Sequence, residues 1–139
     1  MFTATQNAAG QAYLLNAIGW QLALLGRYQD AIASCEQALE RLDAVGDRQG
    51  MADTLDSLGY AHHHLGRQGQ AVTSYRNAIT IYRELGDRYD EAVCLTNLGN
   101  AHHAVGDGAA AAAVWREALT ILEELDHPEA EQVRKKLES

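Results

Sequence analysis

The sequence holds a single proline, Pro128, so no residue in the first 127 forces a helix to break. Lysine is nearly missing. Its two copies, Lys135 and Lys136, both sit at the end of the chain. Eleven basic residues against nineteen acidic ones give a formal net charge of −8. A surface this acidic repels phosphate backbones and anionic headgroups, which speaks against direct nucleic-acid or membrane binding by this chain. No apolar run approaches the roughly 18 residues that would suggest a membrane span. The opening residues, Met1-Phe2-Thr3-Ala4-Thr5, lack a basic segment followed by an apolar core, so no secretory signal is read and a cytoplasmic location is expected. The two cysteines, Cys35 and Cys94, fall inside helical patterns, as reduced and buried thiols would in that compartment.

What is present favours helices. Hydrophobic residues make up 47% of the chain, with the helix formers Ala and Leu prominent. The twelve glycines fall into register. Gly19, Gly59 and Gly99 are 40 residues apart, and so are Gly26, Gly66 and Gly106. Ala31, Ala71 and Ala111 keep the step, as do Ala38, Ala78 and Ala118. The junction Val45-Gly46-Asp47-Arg48 returns as Leu85-Gly86-Asp87-Arg88. Self-similarity at a fixed period marks a stacked-repeat architecture. Three units are expected, at residues 7–46, 47–86 and 87–126, forming a single domain over 1–139.

Each unit reads as two helices. Leu15, Ile18, Leu22 and Leu25 trace one apolar stripe, and Ala31, Cys35, Ala38, Leu39 and Leu42 trace the next. Gly26, Gly66 and Gly106 stand where a glycine ends a helix, and Gly46 and Gly86 do so between units. Asp47 and Asp87 follow as N-caps, with Asn7 expected to cap the first helix in the same way. The predicted helices run over 8–25, 28–45, 48–65, 68–85, 88–105 and 108–125. Asp126-His127-Pro128 is expected to open a last helix over 128–138, because Pro is tolerated in a first turn. Val133 and Leu137 on that helix would cover the apolar face left by Leu119 and Leu122. Tyr13, Leu14 and Phe2 leave an uncapped apolar edge at the other end, through which self-association is possible. Mid-helix Gly19, Gly59 and Gly99, with the small residues at 31, 71 and 111, predict close helix approach within each pair. The fold expected is all-α, a right-handed solenoid of three helix hairpins plus a capping helix.

These residues resemble the tetratricopeptide repeat. Its slots are filled here by Leu58-Gly59, His62, Gly66, Ala71, Tyr75 and Ala78, then by Leu98-Gly99, His102, Gly106, Ala111, Trp115 and Ala118. The first unit departs with Ile18-Gly19, Leu22 and Cys35, and the 40-residue period is longer than the family's usual one. The stretch from Thr54 to Gly66 and the ending from Leu122 to Arg134 also resemble the C-terminal repeats of actinobacterial AfsR/SARP-type or NB-ARC-type transcription regulators. The DNA-binding domain and nucleotide switch of those regulators are not in this sequence. A phosphate-cradling loop would end in Lys-Ser/Thr, and no lysine precedes residue 135.

The resemblance implies ligand contacts on the first helix of each unit. These are Tyr13, Asn16, Trp20, Ala23 and Leu24, then Asp53, Asp56, Tyr60, His63 and His64, then Val93, Thr96, Asn100, His103 and Ala104. None of these slots holds Lys or Arg, and two hold Asp, which disfavours capture of a terminal carboxylate. A protein or peptide partner with apolar and basic groups fits better. The implied function is a protein–protein or protein–peptide interaction module, the sensory or autoinhibitory part of a bacterial transcription regulator. A receptor for a small ligand or peptide signal, or a homo-oligomerisation module, are the alternatives.

Chemistry of its own is not expected, and neither is a cofactor. Three consecutive histidines, His62, His63 and His64, point about 100° apart on a helix and cannot share one ion. His63 and His103 are one repeat apart, but zinc needs further ligands and second-shell support. The resemblance places His62 and His102 in slots for a packed ring. Neither cysteine has neighbours that predict an activated thiolate, and no set of nucleophile, base and orienting group can be assembled.

Overall fold

The computed structural model describes residues 4–139, with the side chains of Ala4, Thr5, Gln6, Ala8 and Ala9 left aside; Phe2, assigned above to the apolar edge, lies outside the described residues. The described residues form seven helices: α1 (Ala4–Leu24), α2 (Tyr28–Val45), α3 (Arg48–His64), α4 (Gln68–Leu85), α5 (Arg88–Ala104), α6 (Gly108–Glu124) and α7 (Ala130–Glu138). No strand occurs among the described residues. The helices pair as hairpins α1–α2, α3–α4 and α5–α6, and each hairpin packs on the next through α2–α3 and α4–α5. α1 also touches α3, and α3 touches α5, so the first helices form a continuous row. The result is an all-α solenoid closed at its C-terminal end by α7.

The stops and starts follow the chemistry of the junctions. Gly46 and Gly86 adopt left-handed φ values of 72° and 71°, and close α2 and α4 by donating to carbonyls of the last turn. Asp47 and Asp87 then cap the next helices: their Oδ1 atoms accept from Gly50 N at 2.9 Å and Asp90 N at 3.2 Å. Asp107 does the same for α6 through Ala110 N at 3.1 Å, a cap that Arg27 and Arg67 do not supply at the equivalent places.

Two expectations at the ends need correction. Asn7 caps nothing, because α1 already begins at Ala4; the alanine-rich start is a better helix former than a cap requires it to be. Asp126 does not introduce the last helix. It takes the place of Gly46 and Gly86, with a left-handed φ of 52°, and ends the preceding helix. α7 begins two residues past Pro128, and His127 Nδ1 accepts from Glu129 N at 3.2 Å in the turn between.

The mid-helix glycines occupy like surroundings. A Cβ on Gly19, Gly59 or Gly99 would strike Cys35, Tyr75 or Trp115 respectively, so the close partner is the 35/75/115 position more than the small residue at 31, 71 or 111. Trp115 lies against Gly99 and donates from Nε1 to the Thr96 carbonyl at 3.1 Å. From α3 to α7 the core is one continuous cluster, in which Tyr75, Tyr82, Leu95, Leu122 and Val133 are buried. Leu119 and Leu137 pack against its edge, as the capping role of α7 required. The first unit is different. Its core is split into one group around Ile32, Cys35 and Leu58 and another around Ala12, Ala38 and Leu42. Half of its expected apolar stripe is not buried: Ile18 is 42% and Leu25 73% exposed. Their counterparts forty residues on, Leu58 and Leu65, pack in a cluster with Ile32 and Cys35 of α2, but no described helix precedes α1.

Candidate functional site

The row of first helices brings five of the expected contact residues into one place. Tyr13, Asn16 and Trp20 from α1 face Asp53 and Asp56 from α3 across a cavity of about 320 Å³, with Ala17 and Ser57 completing the wall. No Lys or Arg lines it. The side-chain oxygen of Asn16 is buried without a hydrogen-bond partner. Asp53 is held in position: Tyr82 donates its hydroxyl to Oδ1 at 2.6 Å, and Gln49 donates to the same oxygen at 3.2 Å. Asp56 accepts from Asn97 Nδ2 at 3.4 Å. Burial pushes the Asp56 carboxyl up to about 6, against the partial relief from that hydrogen bond. Burial, then the neighbouring Asp87, likewise raises Asp90 on α5. Around this first cavity negative charge is therefore held at a cost, with no Lys or Arg in its lining to offset it.

Tyr60 and His64 belong to a different arrangement. Trp20 meets Tyr60 edge-on at 5.1 Å, Tyr60 lies 4.1 Å from His64, and His64 stacks on Tyr28 at 5.2 Å. This aromatic ladder crosses from α1 through α3 to α2. It packs one face of Trp20 while leaving the residue 38% exposed. His64 Nδ1 is bonded to the Tyr60 carbonyl at 3.0 Å, and His63 Nδ1 to Gln68 Oε1 at 2.8 Å. Both histidines are thus tied to local structure.

Val93, Thr96 and Asn100 line a second cavity of about 300 Å³, walled on its other side by Glu129, which precedes α7, and by Gln132 and Lys136 of α7. His103 joins neither cavity; it lies exposed, with its ring 5.7 Å from Trp115. Ala23, expected among the contacts, is buried in the small core of the first unit, because this position faces α2. Leu24 and Ala104 are exposed and line neither cavity. Eight of the expected residues thus line two separate cavities, divided at the Asp56–Asn97 contact.

Sequence reasoning missed the column Ala17, Ser57 and Asn97. Its signal was available, since these three residues also stand 40 apart. Tyr82, which fixes Asp53 from the following helix, and Lys136 on α7 carried no such signal. Among the described residues no group of three or more His, Cys, Asp or Glu is placed to hold a metal. The thiols are inert at neutral pH: burial, then Glu36, lifts Cys35 to about 11, and burial, then Asp56, raises Cys94 well above the usual thiol range. His62 is buried in the ring slot, where burial lowers its proton affinity.

A tetratricopeptide repeat model matches residues 10–84, and a second tetratricopeptide repeat model matches residues 92–129. The chain belongs to the tetratricopeptide repeat family. Solved structures share the repeat architecture at low identity. A Rap protein complexed with competence and sporulation factor superposes with a TM-score of 0.83 at 18% identity, over 93% of this chain but only 36% of that protein. A tetratricopeptide-like protein from Chlorobium tepidum gives 0.78 at 18% identity, covering 97% of this chain and 94% of the other. The N-terminal domain of stress-induced protein-1 from C. elegans gives 0.74 at 18% identity, over 99% and 100%. No curated protein matches the chain.

Proposed function

We propose that this chain is a non-catalytic recognition module whose inner face binds a protein or peptide segment carrying apolar and basic groups. The observation that carries the reading is the cavity between α1 and α3: aromatic walls from Tyr13 and Trp20, two carboxylates, and no basic residue. Aromatic side chains anchor apolar and cationic groups alike, and an incoming cation would offset the buried charge of Asp56. The complex of the similar Rap protein with its factor supports a signal-binding role for such an architecture. The ending from Leu122 to Arg134 supports placing the module as the regulatory part of a cytoplasmic bacterial transcription regulator.

The test is a peptide display selection on the intact chain, followed by affinity measurement of the recovered peptides by calorimetry. Trp20→Ala is expected to weaken binding by about tenfold or more, the loss typical of a central aromatic anchor. Asp53→Asn combined with Asp56→Asn is expected to erase the preference for basic peptides. Affinity should also tighten as pH rises through about 6, where Asp56 loses its proton. Unchanged affinity in all variants would place the binding face elsewhere.

A further inference from the structure

A larger cleft, of about 550 Å³, opens where α2, the start of α3 and α4 meet, and it shares no residue with the inner-face cavities. Leu39, Met51, Leu55 and Ile81 give it an apolar floor, and Glu40, Asp43 and Arg48 are its charged lining. The repeat supplies two internal comparisons. Forty residues on, the same junction forms a smaller cleft of about 370 Å³, where Arg83, Glu91 and Glu117 replace Asp43, Met51 and Asn77. There Arg83 donates from Nε to Glu91 at 2.8 Å and from its terminal nitrogen to Glu117 at 3.4 Å. At the third junction the equivalent positions hold Glu123 and Glu131, and Arg134 from α7 reaches both, at 3.7 Å and 2.9 Å. In both later junctions the chain lays an arginine of its own between carboxylates. At the first, Asp43 stands at the position of Arg83 and Glu123, and Glu40, whose counterparts are Thr80 and Thr120, lies one turn before it; neither has an ion-pair partner among the described residues, and Arg48 in the same lining is engaged with Glu84 at 2.5 Å.

We propose that the first-junction cleft is a second binding site, which takes an arginine side chain presented by a partner protein. The guanidinium sits between Glu40 and Asp43, and the alkyl stem lies over Leu39, Met51 and Leu55. Exposed ion pairs are individually weak, so the stem's apolar contact contributes the larger share, and planar guanidinium suits paired carboxylates better than ammonium does. The site is independent of the inner face and does not rest on the function proposed for it.

Met51 reports on this cleft directly, since the only other methionine is Met1. With methionine methyl groups labelled with carbon-13, the full chain is titrated with the capped dipeptide acetyl-leucyl-arginine amide. A saturable shift of the Met51 methyl signal is expected. The lysine dipeptide should give a weaker response, and so should the citrulline dipeptide, which keeps the shape and stem but loses the charge. Asp43→Asn should weaken the arginine response by about threefold. Asp43→Arg with Asn77→Glu, which installs the second junction's arginine–glutamate pair, should move the Met51 signal by itself and abolish the response. The proposal is overturned by no shift with the arginine dipeptide, by an equal shift with citrulline, or by an undiminished response in the double variant. A Met51 shift that follows protein concentration without any dipeptide would assign the cleft to a second copy of the chain and also overturn it.

Discussion

The first and third repeats share one backbone plan and differ in what fills it. In the third, Trp115 covers Gly99 and ties back to Thr96, and α7 seals the outer face. In the first, the smaller Cys35 covers Gly19, the core is split in two, and Ile18 and Leu25 face solvent. In a stack where each unit contacts only its neighbours, stability is a sum of unit and interface terms. The comparison teaches that equal register does not mean equal cohesion. The N-terminal unit, which supplies one wall of the first inner-face cavity, buries smaller side chains than the C-terminal one and is expected to open first.

The largest change expected from breaking this contrast comes from removing residues 127–139. Loss of α7 uncovers the apolar face around Leu122 and strands the strongest part of the core; thermal unfolding should shift down by about 10 °C. An unchanged melting temperature would show that α7 contributes no cover. Next, Gly99→Ala forces the indole of Trp115 aside and should cost about 2–3 kcal/mol in denaturant unfolding. Gly19→Ala meets the Cys35 sulfur at 2.7 Å and the Ala31 carbonyl oxygen only at 3.4 Å, and should cost about 1 kcal/mol, because the looser first unit can shift. Equal costs would refute the difference in cohesion.

A smaller effect concerns the boundary between the two cavities. The folded state raises Asp56 from 3.8 to about 6, so it holds a proton that the unfolded chain releases across that window. This group's contribution to stability therefore declines as pH rises from the lower value through the higher one. Asp56→Asn should gain about 1 kcal/mol at neutral pH and nothing at about pH 4, measured by paired denaturant titrations. A gain that is the same at both pH values would mean that charge burial is not its cause. The smallest effect is at the exposed edge. Ile18→Ser with Leu25→Ser should change stability by less than about 0.5 kcal/mol, while reducing any concentration-dependent light scattering. A large loss of stability would show these residues to be part of a core after all.

The repeat was legible in the sequence because glycine and aspartate at the junctions have few other uses at that spacing. Gly46 and Gly86 read correctly as helix stops, and Asp47 and Asp87 as caps. Asp126 misled because an aspartate that tolerates a left-handed backbone is indistinguishable by type from one that caps a helix. The start of α1 was hidden by its alanines, which carry the helix past Asn7 without a punctuation mark. The inner face was legible in part. A 40-residue step identifies equivalent columns but not which of them faces the cavity: Ala17 and Ser57 do, while Ala23 turns into the core. Contacts from a third helix, such as Tyr82 on Asp53, have no periodic trace.

The chain contains two tryptophans, and the fold assigns them opposite duties. Trp20 sits half in solvent beside the acidic cavity, while the indole of Trp115 is enclosed at the other end of the stack. Intrinsic fluorescence is therefore expected to contain two separable signals: a red-shifted one placed to report on anything that enters the cavity, and a blue-shifted one that persists until the sealed end unravels. Replacing either indole with phenylalanine would let a single cuvette experiment tell engagement of a partner apart from loss of structure.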